Sequence, residues 1–403
     1  MTAPALDMAP ACPGAVEAPR PTPTDAADAH ERGRLRAERR PFDSIPRDTW
    51  DALAARTRWS TPFSAWAFHR AWWDAYSANA HEETVVLLAA DGGDDAPIVA
   101  IVPLMHRHEV EPTDALTHTG LRSGPSEDAT PVPPTAKAIF FGASYHADYA
   151  TILADPADLG DVAAAMAAYL AGPEAGPWDA VDLRRIRCGD PTAEALGAAI
   201  GAREIECGWT LNVEREDVCP VATLPLGGSV DDYLAGLGKK ERHEIRRKVR
   251  RAESVGEVVL EDAADPLAEL ESFIDLHQRR WGDAGLFPPT LGGDQSRVLM
   301  RRAFELFGPD GSLRLTFLSV GGRRIAAGVH FQTPDAILYY NAGVDPDARE
   351  LSPGVLMVYA YVRRALAAGI ARMDFLRGNE SYKYEWGAVD EPIQRLLVRR
   401  RVG

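Results

Sequence analysis

The chain has 403 residues, 46% of them apolar, nine Trp and a formal net charge of −15. That length exceeds one ordinary domain and points to two or three, with enough apolar material for sizeable cores. The acidic balance argues against a general nucleic-acid or anionic-membrane binder, so any basic patch is local.

Residues 1–42 are mostly Ala, Pro, Thr and charges, and cannot bury enough apolar surface to offset ordering entropy. A disordered tail is expected there, with at most a short helix in "DAHERGRLRAERR". From Trp50 the pattern changes. "DTWDALAARTRW" and "TPFSAWAFHRAWWDAYSA" read as helices, and "ETVVLLAA" and "APIVAIVPLMHRH" as strands about the turn "DGGDD". A long polar loop covers 111–135. "AIFFGASYHADYATILA" reads as strand, turn, strand. "LGDVAAAMAAYLAG" and "TAEALGAAIGA" are helices around the strand "WDAVDLRRI". A second set begins near Val221 with the strand "VATLPL". One or two helices follow in "SVDDYLAGLGKKERHEIRRKVRRAESVG", then the strand "EVVLEDA". After the helices "PLAELESFIDLHQRRWGDAG" and "SRVLMRRAFELFG" come three strands, "LRLTFLSVGG", "RRIAAGVHFQTP" and "AILYYNAGVD". The helix "SPGVLMVYAYVRRALAAG" and the strand "RMDFL" complete the set. The expected organisation is an α/β (α+β) chain with a tail at 1–42 and lobes at 43–215 and 216–403, each a mixed sheet flanked by helices.

The four cysteines, Cys12, Cys188, Cys207 and Cys219, form no C-x-x-C pair, so neither a zinc site nor a dense disulfide framework is expected. Free thiols fit a cytoplasmic chain. The N-terminus lacks a basic stretch followed by an apolar core. The longest apolar run, residues 162–172, falls short of the roughly 20 residues a membrane span needs. His146 and Asp148 in "SYHADY" are two ligand types only, so no metal is expected.

Two stretches carry chemistry. In "DPDARELSPGVL", Pro353 and Gly354 stand at a helix start and Ser352 is a natural N-cap. Amides left free there, with the helix dipole, favour an anion such as a pyrophosphate; a merely well-capped helix has the same pattern. "DFLRGNESYKYEWG" at 374–387 concentrates aromatic rings, charges and two Gly in one turn.

The order hairpin, strand, tight turn, helix, strand over 313–377 resembles the GNAT acyltransferase fold. There, a turn of the form Q/R-x-x-G-x-G/A cradles the pyrophosphate of coenzyme A. Arg349 and Gly354 match that turn, and Ser352 stands where its middle Gly would be. "YLAGLGKKERHEIRRKVRRAE", "LHQRRWGDAG", "LSVGGRRIAAGVHFQ", "YYNAGVDPDARELSPGVLM" and "MDFLRGNESYKYEWGA" look like blocks of one GNAT subfamily. "TPFSAWAFHRAWWDAY" resembles that group's N-terminal block. The subfamily resembles cellulose-biosynthesis acetyltransferases and is related to Fem-type aminoacyl transferases. The resemblance implies tandem GNAT-like lobes, the first often lacking a working cofactor site. It further implies acetyl-CoA or another acyl-CoA as co-substrate, on Arg349, Ser352, Gly354 and Val355, with Asn341 orienting a carbonyl.

Acyl transfer from a thioester to an amine needs a base, stabilisation of an oxyanion and a proton for the thiolate. His330 and Asp374 are the candidate bases, with His277 a weaker one. Tyr339, Tyr340 and Tyr382 are candidate acids, and Lys383 is placed to reach the thioester or the acceptor. Tyr340, Arg377 and Trp386 are candidate acceptor contacts. "KKERHEIRRKVRR" holds eight Lys/Arg in thirteen residues. Arg242 and Arg246, one helical turn apart, are expected to clamp an anionic group.

The leading expectation is a biosynthetic acyl-CoA-dependent N- or O-acyltransferase with a small or carrier-linked acceptor in the inter-lobe cleft. A Fem-like enzyme using aminoacyl-tRNA is the alternative that the basic helix favours. A non-catalytic scaffold is the one that the missing middle Gly favours.

Overall fold

The computed structural model describes residues 35–400 apart from 79, 94–95, 108–131 and 133–135. The expected tail before residue 35 and nearly all of the polar loop at 111–135 lie outside the described residues. The tail was expected to reach 42, but Leu35–Arg39 is a strand, β1, antiparallel to β3. It is held because Leu35 and Ala37 pack on the N-terminal core.

In chain order, helices α1 (Arg47–Arg56) and α2 (Trp66–Tyr76) precede β2 (His81–Glu82), β3 (Val85–Ala89), β4 (Ile98–Val102) and β5 (Leu104–Arg107). Next come β6 (Ala138–Phe141), β7 (Leu153–Ala154), α3 (Leu159–Ala171), β8 (Ala180–Arg187), α4 (Pro191–Gly201), α5 (Glu204–Cys207) and β9 (Trp209–Thr223). The second half holds α6 (Val230–Gly236), α7 (Lys239–Val255), β10 (Val258–Asp262), α8 (Leu270–Trp281) and α9 (Leu291–Phe307). It ends with β11 (Leu313–Val320), β12 (Arg323–Gln332), β13 (Ala336–Val344), α10 (Pro353–Ala367), β14 (Arg372–Asp374), α11 (Ser381–Glu385) and β15 (Val389–Arg400).

One sheet has the order β1-β3-β4-β7; the other runs β10-β11-β12-β13-β14-β9-β15-β8-β6-β5-β2. The 215/216 boundary falls inside β9, which pairs with β14 at its C-terminal end and with β15 along most of its length. One continuous sheet therefore joins both halves. The halves also share a core: the Phe63 ring meets Phe331 and Tyr340 with centroids 5.5 and 5.6 Å apart. Fully burying a Phe side chain contributes roughly 1.5–3 kcal/mol, so this contact fixes Tyr340 where the sheet opens.

Cys207 and Cys219 are free thiols. Cys188 is disulfide-bonded, so the expectation of free thiols fails at that position. Among the described residues no helix is long and apolar enough to cross a membrane, and no cluster of His, Cys, Asp and Glu has the geometry to hold a metal ion.

Candidate active site

Strands β13 and β14 pair in parallel over only three residues, Ala336–Leu338 against Arg372–Asp374. Beyond them the strands part. Phe375 and Gly378 turn their N–H groups to the carbonyls of Pro220 and Val218 on β9, at 3.0 Å each. On the other side, β13 carries an extra residue, Tyr340, between Tyr339 and Asn341, which pair with His330 and Val329. A bulge re-aims side chains and bends its strand. The edge of β13 is thus uncovered from Tyr339 on, and a cavity of about 620 Å³ opens there.

Two buried side chains hold this opening. Asp374 Oδ1 accepts the Leu376 N–H at 2.8 Å and Oδ2 accepts the Tyr149 hydroxyl at 2.8 Å. Leu376 sits at φ +57°, an uncommon conformation for a side-chain-bearing residue. Lys383, 2% exposed, donates from Nζ to the carbonyls of Leu376, Arg377 and Gly378 at 2.9, 3.0 and 2.8 Å. It also pairs with Glu380 at 2.9 Å. Gly378 has φ +105°, which only Gly adopts without strain.

At one end of the cavity α10 begins. Ser352, at φ +57°, adopts the conformation a Gly would favour in the middle of this turn. Its hydroxyl makes no cap bond, contrary to expectation. Instead, its carbonyl accepts the N–H groups of Val355 and Leu356 at 3.0 and 3.2 Å. Pro353 has no N–H, so the one donor left in this turn is Gly354 N–H, which meets no acceptor among the described residues. A Cβ on Gly354 would meet nothing within 4 Å. The Gly is therefore not demanded by packing. Arg349 and Arg280 are exposed beside it on the cavity rim, and Arg280 lies over the Trp281 ring at 4.6 Å.

The other end is lined by residues of both halves: Tyr145, His146, Asp148, Asp217, Tyr340 and Arg377. Asp217 lies on β9, 4% exposed. Burial raises its pKa, against the opposing pull of the Val218 N–H at 2.7 Å, Arg377 and Arg185. Asp148 pairs with Arg377 Nε at 3.2 Å. Burial, with Arg377 nearby, drives His146 down to about 3, so its ring is neutral. His146 Nε2 is 2.6 Å from the Tyr76 hydroxyl, and Tyr340 donates its hydroxyl to the His146 carbonyl at 3.2 Å.

The cavity brings together Arg349, Ser352, Gly354, Val355, Asn341, Tyr340, Arg377, Tyr382, Lys383 and Trp386. It leaves four expected residues out. His330 is fully buried, and its Nδ1 lies 3.0 Å from the Tyr361 hydroxyl on the side of the sheet covered by α10. Asp374 is sealed beneath the turn it holds. Arg242 donates to the Ala235 carbonyl at 2.9 Å and Arg246 pairs with Asp231 at 2.7 Å, both away from the cavity. Lys383 does line the cavity, but its donors are spent on three carbonyls and Glu380. His277 is likewise engaged at both nitrogens, by the Ala342 carbonyl and the Leu286 N–H. Asp217, Tyr145 and Arg280 were missed.

Lys383→Met should lower stability by about 2–4 kcal/mol, because it leaves three carbonyls and a partly buried Glu380 without their donor. Urea unfolding midpoints measure this. Burial also raises Asp374 to about 6, above the ordinary aspartate value of about 3.9. The folded state then holds that proton more tightly than the unfolded chain. Its stabilising contribution is complete below about pH 4 and is lost as pH rises through 6, on the order of 3 kcal/mol. Asp374→Asn should flatten that part of the stability curve and be at least as stable as the parent at pH 7.5. A parent-like slope in the variant would show that another group titrates.

Known proteins agree with this architecture. Residues 239–384 match the model of the acetyltransferase (GNAT) domain family. No curated protein sequence matches the chain. Among solved structures, FemX superposes with a TM-score of 0.54 at 10% identity, over 87% of this chain and 96% of FemX. A conserved protein of unknown function from Bacteroides thetaiotaomicron VPI-5482 gives 0.51 at 12% identity, over 88% of this chain and 98% of its own. At such identities these likenesses speak for the fold. With the splayed strands and the open helix start, residues 239–384 form a GNAT acetyltransferase domain set within a fold that FemX shares.

Proposed function

We propose that the protein moves an acyl group from acyl-CoA to an amine in a ternary complex, without an acyl-enzyme. The observation that carries this reading is a single cavity with two unlike ends. A cationic, open helix start lies at one, a buried and a partly buried carboxylate at the other, and an uncovered strand edge between them. Gly354 N–H, Arg349 and Arg280 suit a diphosphate: the first offers a free donor with open space before it, the others exposed guanidinium groups. Bound acyl-CoA supplies the activated thioester carbonyl.

The acceptor end holds two carboxylates against one guanidinium, so a cationic amine balances it. Asp217 takes the proton from the acceptor nitrogen, and its raised pKa suits a base better than an ordinary carboxylate. As the C–N bond forms and the C–S bond breaks, the Tyr382 hydroxyl gives the thiolate its proton. The Asn341 amide orients the carbonyl. The resemblance to the cellulose-biosynthesis group directs the acceptor search to amines of polysaccharide, envelope or specialised-metabolite precursors. Mixing enzyme and acetyl-CoA without acceptor should release no burst of thiol. A burst equal to the enzyme concentration would overturn direct attack.

A second reading has its own support. Lys239, Lys240 and Arg250 on α7 are exposed and have no ion pair among the described residues, and FemX shares the fold. A Fem-like use of aminoacyl-tRNA would employ that face, against the net charge of −15. Activity with purified acyl-CoA that survives ribonuclease would remove it.

A further inference from the structure

We infer that Arg185 and Glu216 form a buried strut that positions the acceptor end of the cavity. The inference rests on the reading of Asp217 as proton acceptor. Both are positioning residues, since neither lines the cavity.

Each occupies a β-bulge. On β8, Arg184 and Arg185 stand opposite the single Arg395 of β15. On β9, Glu216 is the extra residue between Arg215 and Asp217, which pair with Gln394 and Ile393. Strand β15 runs between β8 and β9, so the two bulges flank the same stretch of one strand. Arg185 has φ +69°, uncommon for a residue with a side chain, and is fully buried.

The contacts of Arg185 reach both walls of the acceptor end. Its N–H donates to Glu216 Oε2 at 2.8 Å and its guanidinium pairs with Glu216 Oε1. Its Nε donates to the Ala147 carbonyl at 3.3 Å, and its own carbonyl accepts the Ala150 N–H at 3.0 Å. One residue thus ties the β9 segment carrying Asp217 to the turn carrying His146 and Asp148. Its charge also draws the Asp217 pKa down, against burial. Stability alone gives little reason for the pair, because apolar replacement of a buried ion pair is often neutral or stabilising. Bulges of this kind gather beside functional sites and re-aim side chains.

The test compares the parent with Arg185→Met, Arg185→Lys and the double variant Arg185→Met, Glu216→Leu. Carboxyl-labelled aspartate NMR spectra, with Asp217 assigned by its loss in Asp217→Asn, follow its titration without any acceptor. Acetyl-CoA and n-butylamine then serve as donor and probe acceptor. In Arg185→Met, Asp217 should titrate at higher pH, and turnover of n-butylamine should fall about 10²-fold, the usual cost of roughly 1 Å of misplacement. Acetyl-CoA affinity should stay within about twofold, below the 1.4 kcal/mol that a tenfold change represents. Arg185→Lys should recover most of the loss. The double variant should fold with parental stability and remain slow. A parental Asp217 titration in Arg185→Met, with parental turnover in the double variant, would overturn the inference. If instead Asp217→Asn turns over n-butylamine like the parent, the proton-acceptor reading fails. The strut is then judged on the Asp217 titration alone.

Discussion

Asp217→Asn should lower the acyl-transfer rate about 10²–10⁴-fold, the range a positioned general base supplies. The amide keeps the shape of the side chain and its bond from the Val218 N–H but cannot take a proton. Parental rates should fall as pH drops through the Asp217 pKa, because only the ionised carboxylate acts as base. Burial places that limb above the ordinary aspartate range. The variant should lose the limb together with the rate. His330→Gln is the matched control. His330 is fully buried against Tyr361, so its replacement should leave the acid limb where it is. A lost limb in His330→Gln, with a parental one in Asp217→Asn, would return the base to the strand interior.

Gly354→Glu should abolish donor use. The new side chain would enter space that is open now, and its carboxylate would sit at a helix N-terminus where a diphosphate is expected. It would mimic that anion and exclude it. Arg349→Ala removes one exposed charge and should act more mildly. A charge-assisted contact of about 1.5–3 kcal/mol corresponds to roughly a 10–100-fold rise in donor KM. The Arg349→Ala effect should appear in the donor KM while the acceptor KM holds. An equal rise in both would mean that the α10 turn serves the whole site rather than the donor.

How far these residues were legible depended on how local their geometry is. The α10 start is a contiguous signal: Arg349, Ser352, Pro353 and Gly354 stand within six positions, and their pattern survives in the structure. Even there the hydroxyl of Ser352 was given a cap bond it does not make. Its left-handed backbone turns the residue into a substitute for Gly instead. Asp217 carried no comparable signal. It becomes a site residue because β9 is one long strand that links the halves, and because the turn at 143–149 folds against it. Those contacts join residues far apart in sequence.

His330, which lies outside the cavity, and Lys383, which lines it with its donors engaged, differ from expectation for the opposite reason. Each is a chemically suggestive residue in a suggestive stretch, and each is claimed by a partner the local sequence does not display. Tyr361, thirty-one residues on, takes the ring nitrogen of His330. Lys383 turns back on the carbonyls of its own loop, which becomes possible only because Leu376 and Gly378 adopt positive φ. The strand β1 went unseen within a polar tail because its half-buried Leu35 and Ala37 need the neighbouring core to be worth ordering.

The proposed function divides one cavity into a donor end at α10 and an acceptor end at Asp217. Calorimetric titration of acetyl-CoA and longer acyl-CoAs into the parent, Gly354→Glu and Asp217→Asn proteins tests it most directly. Micromolar binding to the parent, retained by Asp217→Asn and lost in Gly354→Glu, is the predicted result. Binding that survives Gly354→Glu, or no binding of any acyl-CoA to the parent, would contradict it.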